Sequence, residues 1–211
     1  MLIDSLIKDG WLKTPRVIEA FRKIKRADFM FTRRSPKGEG GPDAEKLAEI
    51  NEAFPIGYGQ TISQPLTVAF MLEQLQPETG HKILDIGSGS GWTSALLAYI
   101  VGVQGKVIAI EIIPELKEFG EGNIAKYNFA NVEFICADGS KGYQKEAPFD
   151  KILASAAVQE EIPQAWKEQL KVNGRIVTPV RNSIWTLIKK SKKDFEEIEH
   201  PGFAFVPLIS K

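Results

Sequence analysis

The sequence predicts an α/β fold: a mostly parallel central sheet with helices on both faces and antiparallel strands near the C-terminus. Three observations predict it. From residue 82 onward, short apolar runs alternate with helical stretches, the pattern of βαβ units. A run of glycines at alternate positions, Gly87, Gly89 and Gly91, follows the first apolar run, where a strand passes into a helix. After Asn173-Gly174 the remaining apolar runs, 175–180, 184–188 and 203–209, read as strands, the last two as a hairpin-like closure.

Residues 1–32 read as helical. Thr14 before Pro15 is an N-cap with proline at the first helical position, and Val17, Ile18, Phe21 and Ile24 share one face. The stretch 33–46 has no apolar periodicity and reads as a mobile polar loop able to act as a lid. Pro65 opens a helix with Val68, Ala69, Leu72 and Leu75 on one side, and Ser63 or Gln64 is its expected N-cap. Strands follow at 82–86, 106–111, 132–136, 150–154 and 175–180, with helices at 93–100, 114–127 and 163–170. Two further strands are expected at 184–188 and 203–209, closing the chain as a hairpin. The 211 residues are read as one domain, with 1–80 as a helical cap and 81–211 as the sheet core.

Composition excludes several classes. Lys plus Arg and Asp plus Glu are both 27, which removes the basic field of a general nucleic-acid binder. One cysteine permits no internal disulfide and no multi-cysteine metal cage. The histidines, His81 and His200, are far apart, so no metal site is expected. The start carries Asp4 and Lys8 within its apolar stretch and does not read as a signal peptide. The longest apolar run, 95–103, is far short of the roughly 20 residues that a membrane helix needs. The expected setting is the cytoplasm, and nothing in the sequence calls for more than a monomer.

Ligands of an open α/β sheet bind beyond the carboxyl ends of its strands. The first strand ends in Asp85-Ile-Gly-Ser-Gly-Ser-Gly91, which is Gly-x-Gly-x-Gly and not the Gly-x-Gly-x-x-Gly of dinucleotide binders. An acid before the loop suits a ligand bearing an ammonium group, and the combination points to S-adenosylmethionine. Glu111 ends the second strand, where a carboxylate accepts hydrogen bonds from a ribose diol, and Asp138 after the third strand could accept from an adenine amino group. Upstream, Gly57, Gly59, Gln60 and Thr61 are not explained by a helix cap alone. A loop so rich in donors, at a helix N-terminus, suits a carboxylate.

Ile56-Gly-Tyr-Gly-Gln-Thr-Ile-Ser-Gln-Pro65 closely resembles the signature loop of protein-L-isoaspartate O-methyltransferases. The resemblance continues through 83–91, Asp138-Gly139, 147–152, Gln169-Leu170, Asn173-Gly174-Arg175, Thr178-Pro-Val180 and Phe205-Val-Pro-Leu208. It implies a Rossmann-like methyltransferase fold that uses S-adenosylmethionine, leaves S-adenosylhomocysteine and methylates the free carboxylate of isoaspartyl residues in damaged proteins. The ester then cyclises to a succinimide that partly hydrolyses to aspartate. Residue by residue, the resemblance implies that Ser63 is catalytic and that Gln60, Thr61 and Ile62 flank the donor. The cofactor pocket would comprise Asp85, Gly87, Ser88, Gly89, Gly91, Glu111, Ile112, Asp138 and Gly139. Ile56, Ser63, Pro179 and Val180 would meet the peptide.

The chain departs from the family pattern at Leu66, where an aromatic is common, and at Glu49 and Asn51, where Tyr-x-Asp is common. Trp92 replaces a usual tyrosine and Arg181 a usual glycine; facing the acceptor, Arg181 could attract a carboxylate. The alternatives are a methyltransferase for another carboxylate or small molecule, or a binding module that has lost catalysis. A nucleic-acid amino methyltransferase is disfavoured because Ala154-Ser-Ala-Ala157 stands where Asn/Asp-Pro-Pro-aromatic would. Cys136 reads as core, Trp166 and Leu170 as core or the wall of a groove, His81 as solvated, His200 as a loop residue, and 189–199 as a charged, solvated turn.

Overall fold

The computed structural model describes residues 1–30 and 42–210. Helices α1 (Leu2–Lys8) and α2 (Pro15–Lys23) open the chain, and a 3-10 turn spans Arg26–Phe29. The segment 33–41 of the expected lid lies outside the described residues. Residues 42–46 of that stretch are helical instead: α3 (Pro42–Ala48) has proline at its start and Asp43 and Glu45 in its first turn, where acids favour a helix.

The glycine-rich signature segment is a hairpin. Strands β1 (Phe54–Gly57) and β2 (Gln60–Ile62) pair antiparallel, with Gly57 opposite Gln60. Tyr58 and Gly59 between them both have positive φ, 54° and 72°, as a tight two-residue hairpin turn requires. Helix α4 (Pro65–Leu75) follows at once. Gln64, one of the two expected residues, is its N-cap but makes no side-chain cap hydrogen bond; instead the Leu66 N–H donates to Asn51 Oδ1 at 2.9 Å. Thr14 likewise turns from its own helix to Glu73 on α4, donating at 2.7 Å.

The main sheet contains β3 (Lys82–Ile86), β4 (Lys106–Glu111), β5 (Val132–Cys136), β6 (Phe149–Ala154), β7 (Leu170–Val180), β8 (Ser183–Lys189) and β9 (Phe195–Pro201), in the order β5-β4-β3-β6-β7-β8-β9. Pairings from β5 through β7 are parallel, and β7–β8 and β8–β9 are antiparallel. Crossovers are made by α5 (Trp92–Val101), α6 (Pro114–Ile124) and α7 (Gln164–Gln169). Alternate residues of each strand serve opposite faces. Ile83, Val107, Ala109 and Leu153 join the core beneath α1, α2, α4, α5 and α6; Leu84, Ile86, Ile108 and Ile152 join Trp166 of α7 in a second core. The chain runs outward from β3 to β5, then returns to β6 on the other side of β3. A crevice opens at that reversal, beyond the carboxyl ends of β3 and β6.

Several expectations fail for local reasons. Asn173-Gly174 is not a turn before a strand but lies inside β7, where Asn173 takes a φ of 67° and the pairing with β6 shifts register. The last strand is β9 rather than 203–209. Glu196, Glu197 and Glu199 occupy an edge strand exposed on both sides, a placement in which charges block further pairing. The 203–209 segment makes a bridge at Ala157–Pro207, but Pro207 has no N–H with which to extend a ladder. Cys136 is exposed because β5 is also an edge strand. His200 is on β9, half-buried, with its ring centroid 5.0 Å from that of Phe70. His81 is half-buried too and accepts from the Glu78 N–H.

Candidate active site

A cavity lies at the crevice; with its open mouth included it encloses about 730 Å³. Its walls bring together Ile56, Gln60, Thr61, Ile62, Ser63, Gly87, Ser88, Gly89, Glu111, Ile112 and Gly139, all named from the sequence. A second, more open hollow adjoins it, lined by Ala53, Thr61, Ser63, Gln64, Thr67, Ser155, Ala204, Phe205 and Val206. Thr61, Ser63, Ser155 and Val206 form the partition between the two spaces.

Glu111 is 5% exposed and braces the cofactor end. One oxygen accepts from the N–H groups of Ile112 (2.9 Å) and Ile113 (3.0 Å), the other from Gly89 N–H (2.9 Å). A single carboxylate therefore joins the end of β4 to the glycine loop and keeps one acceptor site, on the oxygen that takes the Gly89 N–H, for a ribose hydroxyl. Gly139 closes the opposite side. A Cβ there would stand 2.4 Å from Ile86 Cγ2, so only glycine lets the backbone lie so close to β3. Its carbonyl accepts from Trp166 Nε1 at 2.8 Å, and Gln169 holds Tyr143 N–H and Lys141 O of the same segment. Trp166 is thus core, as expected, but also the anchor of a cavity wall.

Five of the expected residues lie off the wall. Gly91 is the N-cap of α5, and a Cβ there would meet the Gly120 carbonyl at 2.8 Å; its smallness serves the packing of α6 on the loop. Asp138 caps the 3-10 turn after β5, accepting from Ser140 N–H and Oγ at 3.0 and 2.7 Å. Pro179 and Val180 are screened from the crevice by residues 157–158. That segment bonds on one side to Pro179 O and on the other to Val206 O and Leu208 N–H. The residues expected to meet the peptide at the end of β7 are replaced there by the C-terminal segment 204–209. Arg181, with φ 53° where the family pattern has glycine, donates to Gln159 O at 3.1 Å and lines neither space.

Asp85 is the largest correction. Its side chain lies on the α5 face of β3, fully buried, and accepts from Ser94 Oγ at 2.6 Å, while Oδ1 has no partner among the described residues. Burial pushes its pKa from the ordinary 3.8 to about 7, with nearby Glu111 adding to the rise and the Ser94 hydrogen bond opposing it. Between those values the folded protein keeps a proton that the unfolded chain has released. The stabilisation is therefore complete below pH 4, declines as pH rises to about 7, and is level above. Asp85→Asn, which needs no proton, should be more stable than the parent at pH 8 by up to about 4 kcal/mol, the difference shrinking toward pH 4. Urea unfolding of both proteins across this range measures it; parallel curves would mean that Asp85 is ionised in the native state.

Residues overlooked in the sequence include Trp92, Thr93, Ser155, Ala156 and the segment Val206–Ile209. The apolar Phe205-Val-Pro-Leu208 run was the available signal for the last of these. Among the described residues no cluster of His, Cys, Asp or Glu could hold a metal ion.

Comparison with known proteins agrees with this geometry. The family described as protein-L-isoaspartate(D-aspartate) O-methyltransferase (PCMT) matches residues 1–211. A Methanopyrus kandleri protein-L-isoaspartate O-methyltransferase is 38% identical over 215 residues, covering 100% of this chain and 90% of its own. An Archaeoglobus fulgidus protein-L-isoaspartate O-methyltransferase 2 is 44% identical over 196 residues, covering 92% and 84%. Among solved structures, a Plasmodium falciparum chain assigned to the same enzymes, crystallised with S-adenosyl-L-homocysteine, shares the fold with a TM-score of 0.85 at 21% identity, covering 100% of this chain and 97% of its own. Another protein-L-isoaspartate O-methyltransferase superposes with a TM-score of 0.84 at 25% identity, covering 98% and 64%. With a full-length family match and relatives of this identity, the chain belongs to the protein-L-isoaspartate(D-aspartate) O-methyltransferase family.

Proposed function

We propose that the protein transfers a methyl group from S-adenosylmethionine to the free carboxylate of isoaspartyl residues in peptides and proteins, across the partition formed by Thr61, Ser63, Ser155 and Val206. The observation that carries this reading is that shared wall: one space for the donor, one for the acceptor, and a hydroxyl between them.

The residues of the inner cavity fit the donor. The Glu111 carboxylate keeps an acceptor site for a ribose hydroxyl, and the buried Ser88 hydroxyl, without a partner among the described residues, is available to a polar ligand group. Backbone at Gly87, Gly89 and Gly139 allows close approach. When bound, S-adenosylmethionine supplies a methyl group on a cationic sulfur.

The outer hollow fits an acceptor that is already an anion. Its described lining offers the hydroxyls of Thr61, Ser63 and Ser155, beside a Thr67 hydroxyl and Gln64 amide bonded to each other, but no charged side chain. A carboxylate with an ordinary pKa near 4 needs no base at neutral pH, and none is placed there. Ser63 orients the acceptor oxygen by donating a hydrogen bond, and the apolar Phe205 and Val206 exclude water. Asp85 and Asp138 support the loops from behind, with Gly91 setting the approach of α6.

The reading takes the protein to work as a monomer in the cytoplasm, as one domain, without nucleic-acid or membrane partners; its equal basic and acidic counts of 27 support the first exclusion. Among the described residues no helix is long and apolar enough to cross a membrane. The test uses methyl-labelled S-adenosylmethionine with an isoaspartyl peptide and its matched aspartyl peptide. Label is expected in the isoaspartyl peptide alone. Equal labelling of the two, or none in either, would overturn the reading.

A further inference from the structure

Arg26 is a buried cation that the reaction described above does not use. It is 6% exposed, and its planar head reaches carbonyl groups from separate parts of the chain: Ile50 (3.0 Å), Glu52 (2.6 Å) and Ser63 (3.1 Å). The same head lies 5.5 Å from the ring centroids of both Phe54 and Trp92. Phe54 begins the signature hairpin, Ser63 ends it, and Trp92 is a wall of the donor cavity at the first residue of α5.

We propose that Arg26 is a positioning residue for methyl transfer: its guanidinium locks the Ser63 main chain against the Trp92 wall of the donor cavity and so sets where the Ser63 hydroxyl meets the acceptor. The proposal rests on the role given to Ser63 above. The chemistry selects arginine. A flat fork presents several N–H groups in one plane while its faces stack on aromatic rings, whereas an ammonium group does neither. Among the described residues its hydrogen bonds run only to carbonyl oxygens, and its Nε has no partner. Burial lowers its pKa to about 10, so the head remains charged at neutral pH.

Ser63 itself shows why such a device matters. Its hydroxyl has no hydrogen bond among the described residues, and the side-chain hydrogen bond at the start of α4 comes from Asn51. The orientation of that side chain is therefore inherited from its main chain, whose carbonyl Arg26 holds.

The experiment compares the parent, Arg26→Lys and Arg26→Met, each assayed well below its own unfolding midpoint. Three quantities are read: S-adenosylhomocysteine affinity by calorimetry, kcat with an isoaspartyl peptide at saturating donor, and amide exchange of residues 60–64 with S-adenosylhomocysteine bound. Expected are affinities within about threefold of the parent, with kcat reduced about 30-fold or more in the methionine variant, the scale that misplacement by an ångström produces. Amide exchange over 60–64 should quicken about tenfold while β3 and β4 are unchanged, and lysine should recover part of the rate. A kcat within threefold of the parent overturns the proposal, as does a proportional fall of affinity and kcat together, which marks Arg26 as general scaffolding. Should the parent itself fail to label the isoaspartyl peptide, the functional reading fails separately; the exchange of 60–64 still decides whether Arg26 holds the hairpin.

Discussion

Ser63→Ala should cut kcat for an isoaspartyl peptide by about 10- to 100-fold, the worth of one hydrogen bond to a charged group, and leave S-adenosylhomocysteine affinity within about twofold. The reasoning starts from what the hydroxyl does in the free protein. It caps nothing, since Asn51 serves α4, and it satisfies no other group among the described residues. Its removal therefore orphans no partner, and the melting temperature should be unchanged. It stands on the partition between the two spaces, where an acceptor oxygen must be aimed. No base lines the hollow to turn it into a nucleophile, so its contribution is orientation and hydrogen bonding, which act on kcat. Ser63→Thr, which retains the hydroxyl, should keep more activity than alanine. Calorimetry and steady-state kinetics on the same preparations decide the matter. A collapse of cofactor affinity with kcat intact would move Ser63 from the acceptor side to the donor side.

The parallel sheet was legible because its strands are buried on both faces and so read as unbroken apolar runs bounded by helix signals. Lys82–Ile86 and Lys106–Glu111 are of this kind. The edge strand Phe195–Pro201 carries no such pattern, because both its faces meet water and its stability comes from pairing with β8. In the site, Glu111 and the glycine loop were legible from their places at strand ends. Asp85 was placed correctly along the chain but on the wrong side of the loop. A residue at the end of a strand can face either core, and its parity with Ile83 puts it beneath α5. Nor does chain position reveal that residues 157–158 screen Pro179 and Val180 from the crevice. That depends on main-chain hydrogen bonds between segments about 20 and 50 residues apart. The hairpin at 54–62 reads in the sequence as a loop because its glycines and hydroxyls suggest donors for a carboxylate, though two positive φ values in sequence are what a two-residue hairpin demands.

Glu111→Gln is the complementary experiment, expected to strike donor affinity where Ser63→Ala strikes turnover. The carboxylate accepts from three main-chain N–H groups at once, and an amide cannot. With its oxygen toward Ile112 and Ile113, its NH2 faces the Gly89 N–H, donor against donor; flipped, it faces the other two. At least one N–H is left unsatisfied inside the protein, at a cost of about 1–3 kcal/mol. The melting temperature should accordingly drop by roughly 2–10 °C for a chain of this size. The glycine loop also loses its tie to β4, and a ribose diol loses a charged acceptor. Together these should weaken S-adenosylhomocysteine binding by about 100-fold, with kcat at saturating donor down by less than tenfold because the partition around Ser63 is untouched. The change further removes the lesser influence, after burial, that raises the Asp85 pKa, so the stability lost at Asp85 as pH rises should be smaller and complete at a lower pH. Calorimetric titration at matched temperature below both midpoints separates the two effects. Unaltered affinity beside a lowered midpoint would make Glu111 a brace for the loop alone, and the ribose would have to be held by other groups of the cavity wall.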